Sequence, residues 1–352
     1  MTGRKLEMIT LLVVSIASMS AHAQDMGLIG EWDISAYGFQ SSGATSHVDV
    51  TFEEEDGQIV AYVYNGPVDI RVNGNEFEFD IDWDSPWGKE HLSTFSGKLN
   101  ENGELEGEVD HNGSIGFLGN PLRGGNFTGT RGIARKVSDD LPPEPVDLSG
   151  VWGRAFGQGG VRKISFAMTP KGQSVIDNYL EMDNGNSRCA SMGVVMATSM
   201  PYPVEIVPTE DQIIIIYGAE YVRRIYLDDR EFPDTATSSS LGFSTGEWKG
   251  DTLVIRTDHL NAAFMHTHGK PISANAHTIE HFYIDDKGYL HTDMWIHDPE
   301  NYTRVPHRRR VLDRNFSPTV ITKIGCDPYS FFRALHLGGE LEEFWSRSDR
   351  RR

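Results

Sequence analysis

The stretch DLSGVWGRAF, residues 147–156, lies just past a proline-rich segment, and a similar string, GLIGEWDISA, occupies residues 27–36. Each reads as a short leader, a Gly-x-Trp and the opening of a strand. Their separation is about the length of one small β-barrel, so the repeat predicts two consecutive barrels. A Trp at the start of a barrel's first strand can plug its closed end, with a late Arg stacked on the indole face. Arg131 or Arg135, following GGNFTGT, suits that role in the first unit, and Arg308–Arg310 in the second.

The pattern between the two strings agrees. HVDVTFEE (47–54) and EFEFDIDW (76–83) alternate apolar and polar residues, and turn signals such as DGQ, NGNE and NENGE separate the runs. Segment 137–147 contains Pro142, Pro143 and Pro145, which suit an extended linker and oppose central-strand pairing. After it, strands are expected at 161–168, 204–208, 212–217, 220–228, 252–258, 276–284, 289–296 and 304–312. One helix is expected from Pro170 and a short one near the C-terminus. The predicted fold is all-β: two lipocalin-like antiparallel β-barrels, 25–136 and 148–352, with minor helix in the second.

Residues 1–23 carry Arg4 and Lys5, an apolar run from Met8 to about Ser18, and Ala21-His22-Ala23. This is the pattern of a cleavable signal peptide, and the run is shorter than the ~20 residues a membrane span needs. A periplasmic or secreted protein without membrane insertion is expected. The formal net charge of −19 argues against a nucleic-acid partner. The chain has 2 cysteines, Cys189 and Cys326, and an oxidising compartment permits one disulfide between them.

DLSGVW, SRCASMG, YPVEIVPTEDQIIIIY, VRRIYLDDREFPD, GFSTGEWKGDTLVIRTD, NAHTIEHFYIDD and IHDPENYTR follow one another in order. Over roughly residues 147–327 they resemble an abundant family of exported bacterial proteins that begin with Ser-Gly-x-Trp. The resemblance implies an exported β-barrel and carries no activity. The chain departs from the family pattern at His281, where Arg usually stands. Residues 28–136 loosely resemble small exported lipocalin-like domains ending in a Phe-x-(Gly/Ala)-x-Arg strand.

The chemical signal is histidine. Of 13 in the chain, His259, His266, His268, His277, His281, His291, His297 and His307 fall in one stretch. HTIEH (277–281) matches a zinc-protease string, but that chemistry needs a helix, and its flanks read as a β-hairpin. MHTHG (265–269) reads as a surface loop, and no metal or other cofactor is expected. If Ile284 pairs with Tyr289 across the hairpin, Glu280 faces Asp293 with His291 beside them, an acid–base group. In VRRIY, Val222, Arg224 and Tyr226 share one face, and one arginine must point inward to clamp an anion.

Three readings compete. The first is a cofactor-independent acid–base enzyme (lyase, isomerase, hydratase or hydrolase) acting on a small apolar molecule. Its catalytic candidates are His277, Glu280, His291, Asp293 and Tyr302, and its substrate-binding candidates Arg224, Tyr226, Trp248 and Trp295. The second is a non-catalytic carrier of an apolar small ligand. The third is an interaction protein with filled barrels. Oligomeric state is open.

Overall fold

The computed structural model describes residues 27–36, 46–83, 91–112, 124–132, 135, 137–155, 166–190, 193–198, 202–218, 221–228, 230–265, 269–314 and 327–349. The leader, Cys326, His266 and His268 lie outside the described residues, as does most of the strand expected at 161–168.

The chain forms two nine-stranded β units in sequence order, with few helices. The first contains β1 (Gly30–Ala36), β2 (Ser46–Glu55), β3 (Gln58–Val63), β4 (Gly66–Val68), β5 (Ile70–Asn73), β6 (Glu76–Trp83), β7 (His91–Leu99), β8 (Leu105–Asp110) and β9 (Gly125–Arg131). Their order is β4-β3-β2-β1-β9-β8-β7-β6-β5. Only Asp69 separates β4 from β5, so the sheet curls until β3 and β5 lie near each other. The second unit is a closed barrel. Its strands are β10 (Gly150–Arg154), β11 (Val204–Pro208), β12 (Gln212–Tyr217), β13 (Tyr221–Tyr226), β14 (Phe243–Lys249) and β15 (Thr252–Asp258), then β18 (His277–Ile284), β19 (Leu290–His297) and β20 (His307–Asp313). A small ribbon of β16 (Ala263–Phe264) and β17 (Pro271–Ile272) stands apart from the barrel. Helix α1 (Pro170–Asp177) is capped by Thr169, α2 is Gly193–Ala197, and α3 (Pro328–Gly338) and α4 (Leu341–Asp349) form a C-terminal pair.

GEWKGD supplies the end of β14 and the turn to β15 at Gly250 (φ 60). One expectation changes. β13 and β14 pair in parallel, Ile225 with Ser244, so the second barrel is not wholly antiparallel. The long connection between these strands, rather than a hairpin, permits that direction.

The Gly-x-Trp repeat acts as expected. Trp32 and Trp152 are fully buried, and each indole Nε1 donates to the carbonyl four residues back, Leu28 at 2.7 Å and Leu148 at 2.9 Å. Each Gly sits at positive φ, Gly30 at 129° and Gly150 at 108°, a backbone state that favours glycine. Arg131 lies 4.4 Å over the Trp32 ring, and Arg314 lies 4.4 Å over Trp152. Arg314, one strand end beyond the expected Arg308–Arg310, also donates to the Asp147 carbonyl at 2.6 Å.

The first interior is filled with aromatics: Phe52, Phe77, Phe79, Phe95 and Phe127 are all buried. Phe79 and Phe95 stack at 5.0 Å. Gly107 leaves room for this packing, since a Cβ there would come within 2.6 Å of the Phe127 ring. The second interior is aliphatic, with Ile206, Ile213, Ile215, Ile225, Leu253 and Ile255.

The proline-rich linker is docked rather than free. Pro143 bridges to Gly250, Glu144 N–H donates to the Gly250 carbonyl at 2.8 Å, and Gly250 N–H donates to the Pro142 carbonyl at 3.1 Å. The prolines lack N–H groups, but their carbonyls and the neighbouring Glu144 amide can still pair.

The Trp plugs yield a graded expectation. Trp152→Ala should cost ~3–5 kcal/mol as a large buried ring is lost. Arg314→Ala should cost ~0.5–2 kcal/mol. Urea unfolding followed by circular dichroism measures both; equal costs would remove the Trp from its central role.

Candidate functional site

β13 alternates across the barrel wall, so one arginine of its pair must enter the interior. Arg223 does so, and Arg224 is exposed on the outer face. This corrects the assignment of Arg224 to the binding face. The reason is register: Arg223 stands opposite Ile215, whose neighbours Ile213 and Tyr217 also point inward, while Arg224 faces Ile214.

Inside the barrel Arg223 meets Glu280. Nη2 donates to Oε1 at 2.5 Å and Nη1 to Oε2 at 3.1 Å. The remaining donors are also used: Nε reaches Ser244 Oγ at 3.0 Å, Nη2 reaches Thr257 Oγ1 at 2.7 Å, and Nη1 reaches Tyr217 Oη at 3.4 Å. All five N–H groups of the guanidinium therefore have acceptors. Burial works against the charge on Arg223, but the Glu280 carboxylate outweighs it and holds the guanidinium protonated. A buried ion pair persists only when compensated in this way.

Asp293 lies elsewhere. In the β18–β19 hairpin Ile284 pairs with Leu290, so Glu280 faces Met294 and His281 faces Asp293. The expected register was one residue short. The turn holds an extra residue because the Asp285 carboxylate accepts the Lys287 and Tyr289 N–H groups, each at 2.9 Å. A one-residue change exchanges partners across a hairpin. Glu280 therefore enters the barrel, while His277, His281, His291, Asp293, Trp295 and His297 line its outside. The proposed Glu280–Asp293–His291 acid–base group is not assembled.

On that outer face Asp293 is part of a second charge cluster, shared with the first unit. Asp33 and Asp49 stand directly opposite each other on β1 and β2. Arg309 Nη1 lies 2.9 Å from Asp49 Oδ1 and 3.4 Å from Asp33 Oδ2, and its Nε donates to Asp293 Oδ1 at 3.0 Å. The His307 imidazole spans two carboxylates, with Nε2 3.0 Å from Asp293 and Nδ1 3.0 Å from Asp49. The Asp49 contacts are at ion-pair distance but outside hydrogen-bond alignment. Burial would lower the His307 pKa, yet the bond to Asp293 and the nearby Asp49 carboxylate outweigh it and raise it to about 9. Burial would raise Asp293, yet the Arg309 charge and the His307 bond hold its carboxyl well below the usual range.

Oxygens and a nitrogen of Asp49, Asp293 and His307 approach within 4.8 Å, a spacing that suits a metal ion. Arg309 already supplies the cation there, and the imidazole engages a carboxylate on each side. A metal would have to displace the guanidinium and a proton, so the donor set fits an internal ion cluster better. Further contacts join the units: Arg304 Nη1 donates to Glu53 Oε2 at 3.0 Å and its Nη2 to Glu53 Oε1 at 2.6 Å, and Asn65 Nδ2 donates to the Val305 carbonyl at 2.8 Å.

The other candidates are scattered. His291 Nε2 lies 2.9 Å from Asp285, and its ring stacks on Tyr283 at 4.8 Å. Trp295 stacks on His307 at 4.7 Å. Tyr302 is buried and donates to the Pro271 carbonyl at 2.7 Å, and burial pushes its phenol up. Tyr226 lies beneath Arg230, 4.1 Å away, and Trp248 packs on the barrel core. His277 stacks with His297.

A separate cleft is lined by Gly193, Val194, Val195, Ser240, Leu260, Asn261, Ala263, Phe264 and Ile272. Its space is about 210 Å³ when the part open to solvent is counted, and little of it is enclosed. Among the described residues no helix is long and apolar enough to cross a membrane.

No family model and no curated protein matches the chain. Two solved structures overlay weakly. One, from Bacteroides fragilis and provisionally described as an outer membrane protein, is 10% identical, with a TM-score of 0.22 over 81% of this chain and 96% of that one. The other, Aeromonas veronii immune modulator A, is 8% identical, with a TM-score of 0.20 over 80% and 94%. Neither likeness bears on function.

Both clusters make measurable demands. Arg223→Met leaves Glu280 buried without its partner and should cost ~3–5 kcal/mol; Arg223→Met with Glu280→Leu should recover much of it. Chemical denaturation of the three proteins tests this, and an additive double variant would contradict the pairing. For His307 the folded pKa of about 9 exceeds the ordinary 6.5. Its stabilisation is therefore full below pH 6.5 and lost as pH rises through 9, on the order of 3 kcal/mol. Asp293 acts oppositely, losing its stabilisation as pH falls below the ordinary carboxylate value. Unfolding midpoints between pH 6.5 and 9.5 should decline in the native protein and stay flatter in His307→Gln.

Proposed function

We propose that this is an exported, non-catalytic binding protein whose ligand is a small apolar group. The observation that carries this reading is the fate of the acid–base candidates. Glu280 is held by Arg223 inside the barrel, and Asp293 by Arg309 and His307 outside it. A general base needs a free lone pair within reach of the proton it takes. Glu280 would have to leave a bidentate arginine first, and Asp293, though its Oδ2 is unpaired, is fully buried and its carboxyl is held well below the usual range, which makes it a weak base out of reach of an outside molecule. The enzyme reading gains no comparable support.

The cleft beside α2 fits the binding role. Val194, Val195, Leu260, Ala263, Phe264 and Ile272 supply an apolar lining, and Ser240 and Asn261 two polar groups. An apolar wall with a few polar contacts is the usual composition of a small-molecule site. Little of the cleft is enclosed, so it suits the tip of an alkyl chain or the edge of a ring rather than a whole lipid. Export rests on the leader-like residues 1–23, and an oxidising compartment also suits a Cys189–Cys326 bridge. The acidic composition makes nucleic acid a poor partner.

Fluorescence titration of the full mature chain with an apolar dye such as 8-anilinonaphthalene-1-sulfonate, followed by competition with small aromatic and alkyl compounds, tests the proposal. Ala263→Trp should fill the cleft and weaken binding by roughly tenfold or more, about 1.4 kcal/mol. Glu280→Gln should leave affinity nearly unchanged if the protein stays folded. Binding indifferent to Ala263→Trp, or a turnover abolished by Glu280→Gln in folded protein, would overturn it.

A further inference from the structure

The outside of the β18–β19 hairpin carries a pair of groups that neither the charge clusters nor the cleft employs. His277 and His297 are direct cross-strand partners. Their rings lie 4.6 Å apart with planes only 1° from parallel. Both side chains are half-buried rather than enclosed. Neither ring is tied by a hydrogen bond or ion pair to another described residue. Burial, followed by the nearby Arg256, holds His277 below the ordinary histidine value; burial, then His277 and Arg256, does the same for His297. Neutral imidazole is the form that ligates metals.

We infer that His277 and His297 form a two-imidazole site for a borderline divalent transition metal, Cu²⁺ before Zn²⁺, on the outer face of the second barrel. Three features support this. Opposed residues on antiparallel strands hold their Cβ atoms ~4.5–5.5 Å apart, which lets two imidazole nitrogens reach one ion ~2 Å from each. The torsion that turns each ring is broad, so the stacked rings can open toward a shared point without leaving a rotamer well. The strands fix the spacing in advance, so little ordering is needed on binding.

A third donor stands in the same row. Thr257 pairs with Thr278, which places Asp258 next to His277 on the neighbouring strand. Asp258 is gripped by Arg256, with Nε 2.7 Å from one oxygen and Nη2 2.9 Å from the other. It can join the ion only by exchanging this arginine, so two imidazoles and solvent are the basal ligand set. Imidazole ligands suit Cu²⁺ and Zn²⁺, and the general affinity order places Cu²⁺ first. The site is independent of the apolar cleft and of the binding role assigned to it.

The test is isothermal titration of the metal-stripped mature protein with Cu²⁺ and with Zn²⁺, alongside electron paramagnetic resonance of the Cu²⁺ form. His277→Phe and His297→Phe preserve the ring stack but remove the ligand. Each should leave the metal-free melting temperature nearly unchanged and weaken Cu²⁺ binding by roughly tenfold or more. The native spectrum should report two imidazole nitrogens, and each variant one. His297→Gln serves as a second variant should a Phe substitution impair folding. His266→Ala with His268→Ala should leave the site intact. Undiminished Cu²⁺ binding in folded His277→Phe or His297→Gln, or its loss in the His266/His268 variant, would overturn the inference.

Discussion

Asp33 and Asp49 face each other across two hydrogen-bonded strands, and like charges so placed repel. Asp49 is also almost completely buried, which removes the solvent that would soften the repulsion. The first unit has His47 beside Asp33, at 3.0 Å, but the cations that answer Asp49 come from β20 of the second unit. The arrangement of the two units follows from this need. Arg309 and His307 are in turn held by Asp293 on β19, so the cluster belongs to neither unit alone. Arg304 on Glu53 and the docked linker extend the same contact.

These two buried charge clusters are therefore satisfied by two methods. Inside the second barrel, one guanidinium meets one carboxylate and three hydroxyl groups, and every donor is matched. Between the units, three carboxylates share a guanidinium and an imidazole, with alignment sacrificed at Asp49. The first arrangement is closed and neutral. The second draws on a group that titrates near 9, which ties the junction to solution conditions. The first unit's interior avoids the problem by using stacked phenylalanines.

Much of this fold can be read in the sequence because its signals are local. Gly-x-Trp needs only a positive φ and an aromatic plug, and strands such as 204–208, 212–217 and 252–258 follow from alternation. The site was less legible. Whether Arg223 or Arg224 enters the barrel depends on which face of β12 points inward, and a two-residue arginine run carries no sign of that. The hairpin register turned on Asp285, whose carboxylate captures two backbone N–H groups and lengthens the turn by one residue. That single residue moved Glu280 and Asp293 to opposite sides of the wall. Asp49 had no local signal, since an acidic residue within an alternating strand ordinarily faces water. Its burial depends on a surface more than 200 positions away in the chain, and only an account of how the two units meet reveals it.

The strand that contributes Arg309 and His307 has another property. β20 pairs with β19 on one side and β10 on the other, so it closes the second barrel. Closure of the barrel and neutralisation of Asp49 therefore depend on the same segment, which emerges late in synthesis. One short segment thus does two jobs at once: its backbone completes the ring, and its side chains join the two units through Asp49.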